Sequence, residues 1–185
     1  SDSNSQNNTA TASITIVPPI ANLSCGLPYL KFRNASLISG SALQIGAVYK
    51  FPNVLTGVYA KVEIVTINNA TIKNIDDGVT SGLPNEFSPF IENTTGGNGY
   101  LDFEISFYDS ASNLSRYLSF AATTSDVDGT GDLKDFVGYQ NLNSFIVENT
   151  TELVVGTEGL YTTFTSNDFS DTSPNQNDYS EYKVY

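Results

Sequence analysis

The chain has 185 residues, 39% of them apolar with 11 Phe and 11 Tyr, which is enough for a hydrophobic core without covalent staples. Twenty acids against eight bases give a net charge of -12, which argues against binding to nucleic acid or to an anionic membrane surface, because both need clustered Lys and Arg. Histidine is absent, Cys25 is the single cysteine, and no run of 18 apolar residues occurs, so an internal disulfide and a bilayer-spanning helix are excluded as well.

Residues 1–19 read as an extension distinct from the rest. Ser1-Asp2-Ser3-Asn4-Ser5-Gln6 lacks the basic and apolar parts of a signal peptide, and there is no methionine at position 1. The expectation is a chain that begins at a processing site or a cut, with any export signal removed or further upstream. Thr11-Ala-Ser-Ile14-Thr-Ile16-Val17 alternates as a strand over Ala12–Val17, and Pro18-Pro19 ends it, since proline cannot continue a ladder. Ala12, Ile14 and Ile16 form one face of this strand; Thr11, Ser13 and Thr15 form the other. The strand either pairs within its own fold or is donated to the open edge of a neighbouring copy. Nineteen extended residues reach ~60 Å, enough to cross to another subunit. Cys25 follows, read as a small buried hydrophobe, because no histidine is present to activate it.

From residue 20 onward, short apolar runs of period two alternate with turn residues. Strands are expected at Leu43–Phe51, Val58–Ile67, Thr71–Ile75, Leu101–Tyr108, Tyr117–Ala122, Ser144–Val147, Glu152–Val155, Leu160–Thr165 and Glu181–Tyr185. In the fourth of these, Leu101, Phe103, Ile105 and Phe107 point one way and Asp102, Glu104, Ser106 and Tyr108 the other. Asn68-Asn69, Asp76-Asp77-Gly78, Ser81-Gly82, the 96–99 glycine cluster and 156–159 supply turn chemistry. No segment carries a helical period with caps. The expectation is an all-β fold: a β-sandwich, jelly-roll-like, of about ten or more strands over residues 20–185.

Asp126-Val-Asp128-Gly-Thr130-Gly131-Asp132 sets oxygen side chains at loop positions 1, 3, 5 and 7, with glycine at position 6. Calcium takes six to eight oxygens, and alternating carboxylates in a glycine turn converge on one point. Asp126, Asp128, Thr130 and Asp132 are therefore candidate calcium ligands, with Asp135 nearby and Glu148 or Glu152 reaching from the next hairpin. Val137 occupies the place of the bidentate glutamate of an EF-hand, so a structural ion fits better than a signalling one. The competing reading is an Asp/Gly-rich turn without metal. Asn74-Ile-Asp76-Asp77-Gly78 has only two adjacent carboxylates and is read as a solvated hairpin turn.

Asp102 and Glu104 lie on one strand face about 7 Å apart along the backbone, a spacing that two glycosidase carboxylates could use. Such pairs occur on the polar side of most acidic strands, and no Ser/His/Asp set, phosphate loop or zinc motif accompanies them, so the chain is read as a non-enzyme. Tyr59, Tyr100, Tyr108, Tyr117, Tyr139 and Tyr161 lie in or beside strands, either as half-buried core residues or as a platform for sugars or protein. Sequons begin at Asn7, Asn22, Asn34, Asn69, Asn93, Asn113 and Asn149, candidates for glycosylation on an exported chain.

The segment Asn7-Asn8-Thr9-Ala10-Thr11-Ala12-Ser13-Ile14-Thr15-Ile16, followed by Pro18-Pro19, resembles the last strand and exit linker of an Ig-like repeat of long prokaryotic surface proteins. The stretch from Val48-Tyr-Lys-Phe-Pro-Asn53 through Gly57-Val58-Tyr59-Ala60-Lys-Val62 to Ser125-Asp-Val-Asp128-Gly129 resembles a non-catalytic β-sandwich module of adhesin-type surface proteins. These resemblances imply a cell-surface or extracellular module whose partners are copies of itself, neighbouring modules or glycans. The leading expectation is a structural or adhesive module, a filament subunit donating residues 9–17 and stiffened by calcium. The alternative is a calcium-dependent carbohydrate-binding module.

Overall fold

The computed structural model describes residues 28–78, 84–94, 99–118, 120, 127, 129–130, 133–145, 147 and 153–166, with backbone only at 129, 130, 133 and 134. The described residues are nearly all β, as alternating patterning and abundant Val, Ile, Tyr, Phe and Thr dictate. They gather into two compact units, one within Leu27–Phe120 and one from residue 121 onward.

The first unit is built on an antiparallel sheet of β1 (Ser36–Ser39), β2 (Val48–Leu55), β3 (Val58–Asn68) and β6 (Tyr100–Asp109), in the order β1-β2-β3-β6. Period-two alternation decides which side chains it buries. Val58, Ala60, Val62 and Ile64 of β3 are all fully buried. Register places Tyr49 of β2 and Ile105 of β6 on either side of Val62, and Phe51 and Phe107 on either side of Ala60. Burying each such aliphatic side chain contributes roughly 1.5–3 kcal/mol, which fixes the register, because a one-residue slip would turn the whole row to solvent. Phe32, Phe51, Phe87 and Phe103 interlock through tilted and edge-on contacts with centroids 5.1–6.0 Å apart.

β3 and β6 pair over ten positions, Val58↔Asp109 to Asn68↔Tyr100, with one register shift between Ile64 and Thr66. At Asn69 (φ 46°) the chain leaves this sheet and enters β4 (Ala70–Asn74), which pairs with β5 (Phe90–Asn93) in a separate ribbon. Ala70 and Ile72 of β4 are buried, and Ile72 and Ile75 join the core of the larger sheet.

The second unit holds the hairpin β7 (Gly129–Thr130) and β8 (Leu133–Lys134), and a sheet of β10 (Leu153–Glu158), β11 (Tyr161–Ser166) and β9 (Phe136–Tyr139) in the order β10-β11-β9. Its core is Phe164 with Val127 and Leu153. Phe164 takes Tyr139 and Phe145 edge-on at 6.2 and 5.1 Å. β10 and β11 are joined by two residues, Gly159 and Leu160; Gly159 adopts φ 59°, which a tight connection of this kind requires.

Several strands lie where alternation placed them, notably β3, β6, β10 and β11, the last two shifted by up to three residues at an end. The expected strand Leu43–Phe51 starts only at Val48. Residues 43–47 form turns instead, with Leu43 at φ 59°, Gly46 at φ 80° and Ala47 N–H bonded to the Gln44 carbonyl. The expected strand Tyr117–Ala122 is replaced, in its described part, by irregular chain after a single Tyr108–Ser115 bridge, and Tyr117 is fully exposed. At Ser144–Val147 no strand is described; Phe145 packs against Phe164 instead. The short strands β1, β5 and β9, missed by the sequence reading, span only four residues each. The expected final strand, Glu181–Tyr185, lies outside the described residues.

Candidate functional site

The calcium-loop candidates divide between what is described and what is not. Asp126, Asp128 and Asp132 lie outside the described residues, as do Glu148, Glu152 and Cys25. Thr130 is the last residue of β7 and pairs with Leu133, and Gly129 pairs with Lys134. These two pairings set β7 and β8 antiparallel, and Gly131 lies with Asp132 outside the described residues. Asp135 is exposed directly after β8, and its carbonyl accepts the Ser166 N–H at 3.1 Å. Among the described residues no three acidic or thiol side chains converge.

The second acidic turn is more constrained than the sequence suggested. Asp76 accepts the Ala35 N–H at 3.0 Å, across 41 residues of chain. Asn74 Nδ2 donates to Asp77 at 3.0 Å, and Asn74 Oδ1 accepts the Asp76 N–H at 3.1 Å. The segment opens the long connection between the antiparallel strands β4 and β5 rather than forming a tight turn by itself. A local Asx turn holds the backbone so that one carboxylate can clasp the chain just before β1, which makes this a structural device.

The outer face of the first sheet carries the densest polar chemistry described. Tyr59 and Tyr108, directly opposed on β3 and β6, stack at 5.2 Å with planes 13° apart. Lys50 Nζ sits 4.2 Å from the Tyr59 ring and Lys61 Nζ 4.3 Å from the Tyr108 ring. Each ring therefore already has an aromatic partner and a cation, worth about 0.5–1 kcal/mol per ammonium at an exposed site. Tyr59 is also only 6% exposed. Tyr59 is therefore structural, while Tyr108 is half-buried and lines the adjoining groove.

Beside them, Glu63 of β3 faces Glu104 of β6, a like-charge pair that costs about 0.2–1 kcal/mol unless a cation lies near. Lys61 lines the same shallow groove, with Ile38, Ser39, Val48, Ser106 and Tyr108, and the groove holds about 270 Å³. Asp102 and Glu104 share this side of β6 by alternation, but Asp102 opposes Thr66 while Glu104 opposes Glu63, so register separates their surroundings. Of the other tyrosines, Tyr100 and Tyr117 are exposed, Tyr139 packs on Phe164, and Tyr161 is half-buried in β11.

The sequon asparagines have a backbone explanation. Asn34, Asn69 and Asn113 adopt φ 59°, 46° and 57°, the left-handed region that asparagine tolerates best after glycine. All three are exposed, as is Asn93 at the end of β5. Asn113 Oδ1 accepts the Tyr59 hydroxyl at 3.4 Å. Asn7, Asn22 and Asn149, and the donated-strand residues Ala12, Ile14 and Ile16, lie outside the described residues.

Asp109 was missed by sequence reading. One of its carboxylate oxygens accepts the backbone N–H groups of Ala111 and Ser112 at 2.9 Å and the Ser112 hydroxyl at 3.1 Å. The Ser112 backbone and hydroxyl donors, then Ala111, then the Arg116 charge hold its pKa below the ordinary aspartate range, against a small opposing effect of desolvation. The signal was present as Asp109-Ser-Ala-Ser112, an Asx-turn opening at a strand end. No protein-family model matches this chain, and no curated protein and no solved structure matches it.

Proposed function

We propose that the chain is a structural, adhesive β-sandwich module of an extracellular surface, jelly-roll-like in architecture and non-enzymatic. In this reading it is a filament subunit that donates residues 9–17 as a strand to a neighbour. Calcium held by Asp126, Asp128, Thr130, Asp132 and Asp135 stiffens it, and the turn sequons carry glycans. The observation that supports the reading is the apolar character of its sheet rims. Phe90 and Ile91 of β5 and Val154 and Val155 of β10 are exposed, and at the edge of the larger sheet Tyr100 of β6 is exposed with Leu101, Phe103 and Ile105 only half-buried. Exposed apolar rims offer a main-chain ladder and side-chain pockets together, which is what an added strand recognises. Heterologous donation does not close on itself, so it builds a fibre.

Deletion of residues 1–17 is expected to leave monomers by light scattering; polymers of unchanged length would overturn strand donation. Metal bound only to the folded chain raises stability by about 2.7 kcal/mol at a hundredfold excess over Kd. Native mass spectrometry is expected to show bound calcium, and chelation is expected to lower the melting temperature of the full chain and not of Asp128→Ala.

The groove lined by Lys61, Glu63, Glu104 and Ser106 favours a second reading, calcium-dependent carbohydrate binding, since a sugar unit fits a polar concavity of this size. Glycan binding that is lost with both a chelator and Glu104→Ala would favour it over assembly.

A further inference from the structure

β6 ends its sheet, and among the described residues only its last third has other chain lying along the edge away from β3, although Phe103 packs on Phe87 within the core. There, Tyr108 bridges Ser115, the Arg116 N–H donates to the Phe107 carbonyl at 2.8 Å, and Phe120 meets Phe107 edge-on at 5.6 Å. Burial changes where that cover stops. Phe107 is 8% exposed, whereas Leu101, Phe103 and Ile105 are only half-buried, although Ile64 and Val62, opposite Phe103 and Ile105, are fully buried. Along Tyr100–Ser106 an apolar row flanks the core, and on the edge away from β3 no strand lies beside it among the described residues. The opposite edge is blunter: β1 spans four residues and carries a register shift.

We propose that Tyr100–Ser106 of β6 receives residues 11–17 of a second copy of this chain as an added strand. The inference rests on the strand-donation reading and names its acceptor. Seven donor residues match seven edge positions, and the donor row Ala12, Ile14 and Ile16 matches Leu101, Phe103 and Ile105 in number and spacing. The other donor face, Thr11, Ser13 and Thr15, brings neutral hydroxyls beside Asp102, Glu104 and Ser106.

Charge selects this partner over the obvious competitor. Two β6 edges paired with each other would set Asp102 and Glu104 against their own copies, and opposed like charges are destabilising. The donor comes from the acid-poor part of the chain. Residues 1–62 hold four bases and one acid, Asp2, whereas the rest hold four bases and 19 acids. The pairing that remains favourable is head-to-tail.

The test uses the full chain with Cys25→Ser, so that only introduced thiols react. Copies carrying Ser13→Cys and copies carrying Glu104→Cys, tagged to different sizes, are mixed, allowed to assemble and mildly oxidised. A disulfide-linked heterodimer is expected, with none when Glu104→Cys is replaced by Ser36→Cys on β1; directly opposed strand positions satisfy disulfide geometry. Cross-linking to Ser36→Cys or to Val155→Cys on β10, without Glu104→Cys, overturns the β6 assignment and leaves donation standing. No cross-link at any of the three, together with unchanged assembly after deletion of residues 1–17, overturns donation itself.

Discussion

Gly40 adopts φ 80°, and a side chain there would place its Cβ 2.6 Å from the Gly46 carbonyl oxygen and 2.8 Å from Ala47 Cα. Both are backbone atoms and cannot swing aside. Gly57 has a similar φ, 72°, but opens onto empty space. Gly40→Ala is therefore expected to destabilise the fold by more than about 2 kcal/mol, and Gly57→Ala by about 1 kcal/mol, the cost of the left-handed conformation alone. Urea unfolding midpoints check the difference. Asp109 supplies the second prediction at this scale. Its pKa is depressed in the folded state, so the stability it contributes is present above the ordinary aspartate value and is lost as pH falls through the lower, folded value. Below about pH 4 the wild-type chain is expected to lose stability more steeply than Asp109→Asn. A carboxyl NMR titration of Asp109, with unfolding curves between acid and neutral pH, checks this.

At the scale of the element, β3 is the central strand of its unit, and its two faces have different tasks. The inner row is fully buried, while the outer row carries Tyr59, Lys61, Glu63 and Val65. Ile64→Ala is expected to cost about 2–5 kcal/mol, because neighbours on both sides cannot collapse into the space. Val65→Ala, at an exposed register shift, is expected to cost about 1 kcal/mol or less. A calorimetric comparison of the two variants would contradict the assigned faces if the losses were equal. The alternation that made β3 and β6 legible from sequence is the same property that buries one row. Four-residue strands such as β1 and β5 hold too few alternations to stand out, and both are exposed along their whole length. They are strands because a partner supplies the ladder, which local patterning does not encode.

In the whole molecule, the two units have separate cores, with no residue in common between the Phe51–Val62–Ile64 cluster and the Phe164–Leu153–Val127 cluster. Phe51→Ala and Phe164→Ala are each expected to cost about 3–5 kcal/mol. Hydrogen exchange is expected to show lost protection first in the unit that carries the substitution. The sequence by itself determined the class: period-two patterning without helical caps fixed the all-β fold. The alternating row of β6 and the Asn-rich turns were equally plain, because side-chain alternation and left-handed asparagine are local properties. Only the tertiary structure decided that Tyr59 and Tyr108 stack between two lysines, that Glu63 opposes Glu104, that Asp76 clasps Ala35, and that β6 stands at an edge among the described residues. Those facts depend on register and strand order, which arise from the burial of rows distant in sequence, and no window along the chain contains both partners.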